Sequence, residues 1–300
     1  MTKKIFLFTL LSALLLTVAG TANAHTAKNA GSSHTSALWV WETDAITNSS
    51  ERSELFSFVK SKKINTIYLN VHGILGNDDS SLKDFMNAKS KSLQVEFLAG
   101  DAHWALSENH NEALEITNNF VDFASSLKKK LRPLALHLDI EPYTLDNWDQ
   151  DEEKVATEYL DLLNECSSTL HSHNLKLNVD IPFWFDGVDI YYDGENRPLN
   201  EHVQSIVDSI TIMDYRDFAN GSDGMIENAK DEIAFANEIG KKVVIGVETD
   251  EVSPEKVTFY EEGETAMKKE LGILLKEFSG VHAFAGTAIH HYESYKELNK

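Results

Sequence analysis

Strand-like and helix-like segments take turns along this chain. Apolar, β-branched or aromatic runs of strand length fall at 38–41, 64–72, 95–99, 134–141, 176–182, 209–215, 242–248 and 281–289. Between them lie stretches whose apolar residues recur at helical spacing. Examples are 50–59, with Ser50 as the expected N-cap and Leu55, Phe56 and Val59 as its stripe, then 112–131, 155–170, 226–239 and 264–278. Strands alternating with helices imply parallel strands joined by right-handed crossovers. About eight such units in a chain of this length predict an α/β protein with a single (β/α)₈ TIM barrel rather than an open doubly wound sheet.

Alternate positions within several strands carry polar side chains. Leu136, Leu138 and Ile140 point one way and His137, Asp139 and Glu141 the other. The same parity sends Tyr68, Asn70 and His72, Asn178 and Asp180, Met213 and Tyr215, and Gly246 and Glu248 toward the barrel axis. Polar residues gather toward the C-terminal ends of separate strands, where active sites of this fold sit. Two acids close together in a partly dry setting must pair, bind a metal or shift their pKa values.

The ends of the chain set the context. Residues 1–24 have Lys3 and Lys4, a short apolar run and Ala22-Asn23-Ala24, the pattern of a cleaved secretory signal. Residues 25–36, rich in Ser, Ala, Thr, Asn and Gly, read as a flexible leader, which leaves 37–300 as the barrel. The expected location is therefore secreted or periplasmic, with no integral membrane association. The single mature cysteine, Cys166, sits in a helical pattern and is expected to pack as a small hydrophobe. The chain carries a formal charge of −21; without the signal lysines, 25 basic residues face 48 acidic ones, a net of about −23. Such a field repels nucleic acid and anionic membrane surfaces but not a neutral or cationic polymer.

A mouth ringed with carboxylates and aromatics fits glycoside hydrolysis, which needs one carboxylic acid to protonate the leaving oxygen and a second group to stabilise or capture the oxocarbenium-like centre. Trp41, Trp104 and Trp184, at or just after strand ends, are candidate platforms for sugar faces. His72, Asp180, Asp214, Arg216 and His290 are assigned to substrate contacts by strand-end position, although Asp214 has the opposite parity to Tyr215. For Glu141 to act as an acid near neutral pH its carboxyl must be raised, and Asp139 is suited to raise it.

Asp139-Ile140-Glu141 with Met213-Asp214-Tyr215 resembles the family 18 glycoside hydrolases, the chitinases and endo-N-acetylglucosaminidases, whose motifs are Asp-x-Asp-x-Glu on the fourth strand and Met-x-Tyr on the sixth. The resemblance implies Glu141 as general acid/base, Asp139 orienting a substrate acetamide that serves as nucleophile, and Tyr215 bonding its carbonyl. This chain departs from the pattern at His137, which replaces the first Asp, and on the eighth strand, where Ala288-Ile289-His290-His291 replaces a tryptophan. Glu141-Pro142 is also similar to the signature of clan A glycosidases, which implies Glu248 on the seventh strand as nucleophile.

The expectation is a monomeric glycoside hydrolase with retention of configuration, a carbohydrate substrate and no cofactor or metal. Two alternatives stand beside it. A carbohydrate-binding barrel without turnover fits the loss of the motif's first Asp, and a metal hydrolase fits the numerous histidines, although no His-x-His or His-Glu-x-x-His spacing occurs.

Overall fold

The computed structural model describes residues 34–299; the expected signal and nearly all of the expected leader lie outside them. In chain order the elements are β1 Thr35–Val40, α1 Asp44–Thr47, α2 Ser49–Lys62, β2 Thr66–Asn70, α3 Asp79–Ala88, β3 Gln94–Ala99, α4 His110–Ser126 and β4 Leu136–Leu138. They continue with α5 Glu152–Ser172, β5 Leu177–Pro182, β6 Asp189–Tyr192, β7 Glu195–Pro198, α6 Leu199–Ile206, β8 Ser209–Met213, α7 Met225–Ile239, β9 Lys242–Glu248, α8 Gly263–Glu277, β10 Phe284–His290 and α9 Tyr292–Glu297. Eight strands close into a parallel barrel in the order β1-β2-β3-β4-β5-β8-β9-β10. This is the expected (β/α)₈ architecture.

Local chemistry explains the boundaries. Asn48, not Ser50, caps α2 by accepting the Ser50 N–H at 2.9 Å. Asp151 caps α5 by accepting from Lys154 N, so the acidic stretch before it is a loop ending in a cap. Pro142 starts a 3₁₀ turn and cannot continue a ladder, so β4 ends at Leu138, three residues earlier than expected. Thr35 and Ser36, placed in the leader by composition, pair with β10. The hairpin β6–β7 stands outside the barrel and turns on Asp193 and Gly194, both with positive φ, the Asp-Gly signal of a tight hairpin.

The outward strand faces join the helices in one large apolar core, in which Cys166 is buried and Trp104 and Trp148 pack. The inward faces make a smaller cluster of Ala37, Trp39, Tyr68, Leu98, Val244 and Ala288. The barrel is therefore filled from its floor, and only the uppermost inward positions are free to meet a ligand. Gly246 makes that filling possible, because a Cβ there would lie 2.7 Å from Trp39 Cη2 and 3.0 Å from Ile212 O. Gly246→Ala is expected to lower stability by about 1–3 kcal/mol in urea unfolding; an unchanged midpoint would show that Trp39 has room to move.

Candidate active site

Where the strands end, a cavity of about 400 Å³ opens to solvent, and Asp139, Glu141 and Tyr215 line it together with Trp41, Trp184, Arg216 and His290. A hollow of about 500 Å³ exists at the other end of the barrel between α2 and α3, but its lining holds no carboxylate or histidine and so offers no acid or base.

The floor beneath the cavity is built around His137, which is fully buried. Its Nδ1 bonds Glu96 Oε2 at 2.7 Å and its Nε2 bonds Asp180 Oδ1 at 2.8 Å. Burial alone would drive the imidazole neutral, but Asp180 and Glu96 outweigh it and raise His137 to about 10. The ring is therefore a cation between two anions, with Trp39 Nε1 donating to the second Asp180 oxygen and the Tyr68 ring 4.2 Å away. Asp180 is 1% exposed, does not line the cavity, and has its two oxygens taken by His137 and Trp39, so the expected substrate contact from Asp180 is not made.

Above that floor, burial pushes the Asp139 carboxyl well above the usual range, and the charges of Asp180 and Glu141 add to the push while His137 opposes it. Its Oδ1 is shut away from solvent with no hydrogen-bond partner, which favours the protonated form. The like-charge coupling expected between the two acids thus falls on Asp139. Glu141 is half-buried, and its Oε2 accepts the Tyr143 hydroxyl. Tyr143 in turn packs edge-on against Trp184, with ring centroids 5.1 Å apart. Burial first, then the charges of Glu248, Asp139, Asp180 and Glu141, hold the Tyr215 phenol well above its ordinary value, so it is a neutral donor.

The remaining expectations divide. Trp41 and His290 form one wall: Trp41 Nε1 donates to His290 Nε2 at 2.8 Å, and His290 Nδ1 bonds Glu248 Oε2 at 2.8 Å. Glu248 does not line the cavity. Its Oε1 accepts the Thr249 and Asp250 N–H groups, and although burial works against the charge, His290 and those amides hold its carboxyl below the usual range. It is an anchor for His290 rather than a free nucleophile. Arg216 lines the wall with its guanidinium 4.8 Å over the Phe183 ring, but its N–H groups are taken by Asp223 and Tyr215 O. Asp223 also binds Lys256, which ties the loop after β8 to the loop after β9.

Three further expected contacts are misplaced. Trp104 is 1% exposed and donates to Glu112, so it is core rather than platform. His72 sits on the exposed loop after β2 against Trp104 and does not reach the cavity. Asp214 turns outward as its parity requires, accepts from Asn228 Nδ2 on α7, and is raised to about 7 by burial, which Asn228 and Arg216 partly offset. Glu96 and Tyr143 are the residues that strand-end reasoning missed. Each left a signal: Glu96 shares the inward parity of Leu98, and Tyr143 follows the Glu141-Pro142 break.

No protein-family model matches the chain, and no curated protein matches it. Among solved structures it resembles a chitinase from Chromobacterium violaceum, 12% identical over 87% of this chain and 96% of that one, with a TM-score of 0.50. It also resembles a family 18 chitinase from Cycas revoluta in complex with (GlcNAc)3, 11% identical over 87% and 95%, with a TM-score of 0.53. The likeness is one of fold, a single eight-stranded parallel barrel.

The buried cation has measurable consequences. His137→Leu leaves Glu96 and Asp180 unpaired and is expected to cost about 3–5 kcal/mol in urea unfolding. The imidazolium persists to about pH 10 in the folded protein but only to 6.5, the ordinary histidine value, once the chain unfolds, so its stabilisation is complete below about 6.5 and is lost as pH rises through 10. The wild type should show this decline and His137→Leu should lack it; equal slopes would contradict a charged His137.

Proposed function

We propose that this protein is a secreted or periplasmic, monomeric glycoside hydrolase that cleaves a polysaccharide or glycan at a sugar bearing a 2-acetamido group, with retention of configuration. The observation that carries the reading is the meeting of Asp139, Glu141 and Tyr215 at one solvent-open cavity walled by Trp41 and Trp184. The fold likeness to family 18 chitinases supports it.

In this reading Glu141 protonates the leaving glycosidic oxygen as the bond to the anomeric carbon breaks, and the substrate's own acetamide oxygen forms a new bond on the opposite face. Asp139, whose burial favours the protonated form, accepts the acetamide N–H through its carbonyl oxygen and holds the group in line for attack. Tyr215 donates its O–H to the acetamide oxygen and orients it. Water then adds to the anomeric carbon, giving its proton to the Glu141 carboxylate as the acetamide is released. The two displacements return the original configuration. The occupied state of Glu248 favours acetamide participation over a glutamate nucleophile, and the histidines are engaged separately, His137 with Glu96 and Asp180, His290 with Glu248, His291 with Glu293.

A second reading, sugar binding without turnover, is favoured by His137 standing where the family motif has an acid. Assay of the protein on a glycan panel separates the two. Glu141→Gln and Asp139→Asn are expected to lower kcat by about 10²–10⁴-fold on N-acetylated oligosaccharides, while Glu248→Gln keeps most of it. Loss in Glu248→Gln equal to that in Glu141→Gln would select the glutamate nucleophile. Binding without hydrolysis, unchanged by Glu141→Gln, would select the lectin-like reading. N-terminal sequencing of protein recovered outside the cytoplasm is expected to begin at His25; a chain that still begins at Met1 would contradict secretion by cleavage.

A further inference from the structure

The acidic balance of this chain is not evenly spread. Loops after the barrel strands are acidic: residues 139–151 include Asp146, Asp149 and Asp151, and residues 249–262 include Asp250, Glu251 and Glu255. Loops before β2, β3, β4 and β5, side by side in the barrel, reverse the sign. Residues 127–135 carry Lys128, Lys129, Lys130 and Arg132, and the loops beside them in the barrel order add Lys89 and Lys91 before β3 and Lys176 before β5. None of the segments 63–65, 89–93, 127–135 and 173–176 contains an Asp or Glu.

These cations are also unpaired. Among the described residues, lysines such as Lys62, Lys154, Lys256, Lys268 and Lys269 form ion pairs, and no cation of the patch does, although Lys89 donates to Leu93 O. A helix C-terminus attracts basic residues by its dipole, which accounts for Lys60 in the last turn of α2. It does not account for Lys128, Lys129, Lys130 and Arg132, which follow the end of α4 at Ser126.

Apolar surface lies within the same patch. Leu134 is 42% exposed beside Arg132. The hollow of about 500 Å³ between α2 and α3 opens on this end of the barrel; Phe56, Val59, Ile64 and Leu93 make its apolar part, and Lys60, Asn65 and three serines its polar part. Lysines around exposed leucine and an apolar hollow match an anionic headgroup layer with acyl chains beneath it. A nucleic acid would use the lysines but not the hollow.

We propose that the N-terminal face of the barrel is a peripheral docking surface for an anionic lipid bilayer, with Lys128, Lys129 and Lys130 on the phosphates and Leu134 at the headgroup boundary. This inference stands apart from the catalytic reading. The net negative charge acts at long range, but at contact, within a Debye length of about 8 Å, the local patch sets the sign. Docked this way, the acidic mouth faces away from the membrane.

Co-sedimentation of the protein with vesicles tests it, using phosphatidylcholine alone against phosphatidylcholine with roughly one-third phosphatidylglycerol. Binding is expected only to the anionic vesicles, with release at about 0.5 M salt. K128E/K129E/K130E is expected to weaken binding at least about tenfold at an unchanged melting temperature; K91E/K176E, on separate loops, and Leu134→Ser repeat the test should that variant fold poorly. Equal binding to neutral vesicles, variants that bind like the parent, or capture by duplex DNA without capture by vesicles would each overturn the proposal.

Discussion

A protonated histidine held between two carboxylates is the contact on which the upper half of this barrel depends. Glu96, Asp180 and Asp139 would otherwise place three acids within a largely dry interior, where unpaired charges are costly. His137 bonds the first two directly at 2.7 and 2.8 Å, and Trp39 takes the remaining oxygen of Asp180. Burial raises the proton affinity of Asp139 most, and the charge of Asp180 adds to it while His137 offsets part of that push.

That floor also decides which side chains can do chemistry. Interior positions at the level of Tyr68 and Asp180 are spent on packing and on each other, as the near-complete burial of both shows. Asp139, Tyr215 and His290 reach the cavity from the ends of their strands, and Glu141 follows beyond the end of β4. Walls are fixed by partners: Glu248 holds His290 and Asp223 holds Arg216 from outside the cavity, and Tyr143, which lines it, holds Glu141. A constellation supported in this way keeps its geometry before a ligand arrives.

Much of this was legible in the chain and some was not, for physical reasons. The barrel was legible because strand-length apolar runs and helix-spaced apolar residues take turns along the chain, although the end of β4 and the start of β1 fell two or three residues from their expected places. Glu141, Asp139 and Tyr215 were legible because parity at strand ends aims side chains at the mouth. Asp180 obeys the same parity yet sits in a filled layer, and parity carries no information about height along the axis. Trp104 and His72 follow strand ends but belong to loops whose path the sequence does not fix. The partners of His137 lie 41 and 43 residues away on neighbouring strands, so their closeness depends on register that emerges only when the barrel closes. The hairpin carried its signal in Asp193-Gly194, hidden among residues too polar to read as strands.

The charge state of His137 is the most direct test of this account. Nuclear magnetic resonance of protein labelled with ¹⁵N-histidine reports whether each ring nitrogen bears a proton. Both His137 nitrogens are expected to be protonated at about pH 8, where an ordinary histidine is neutral. A ring with one bare nitrogen at that pH would contradict it.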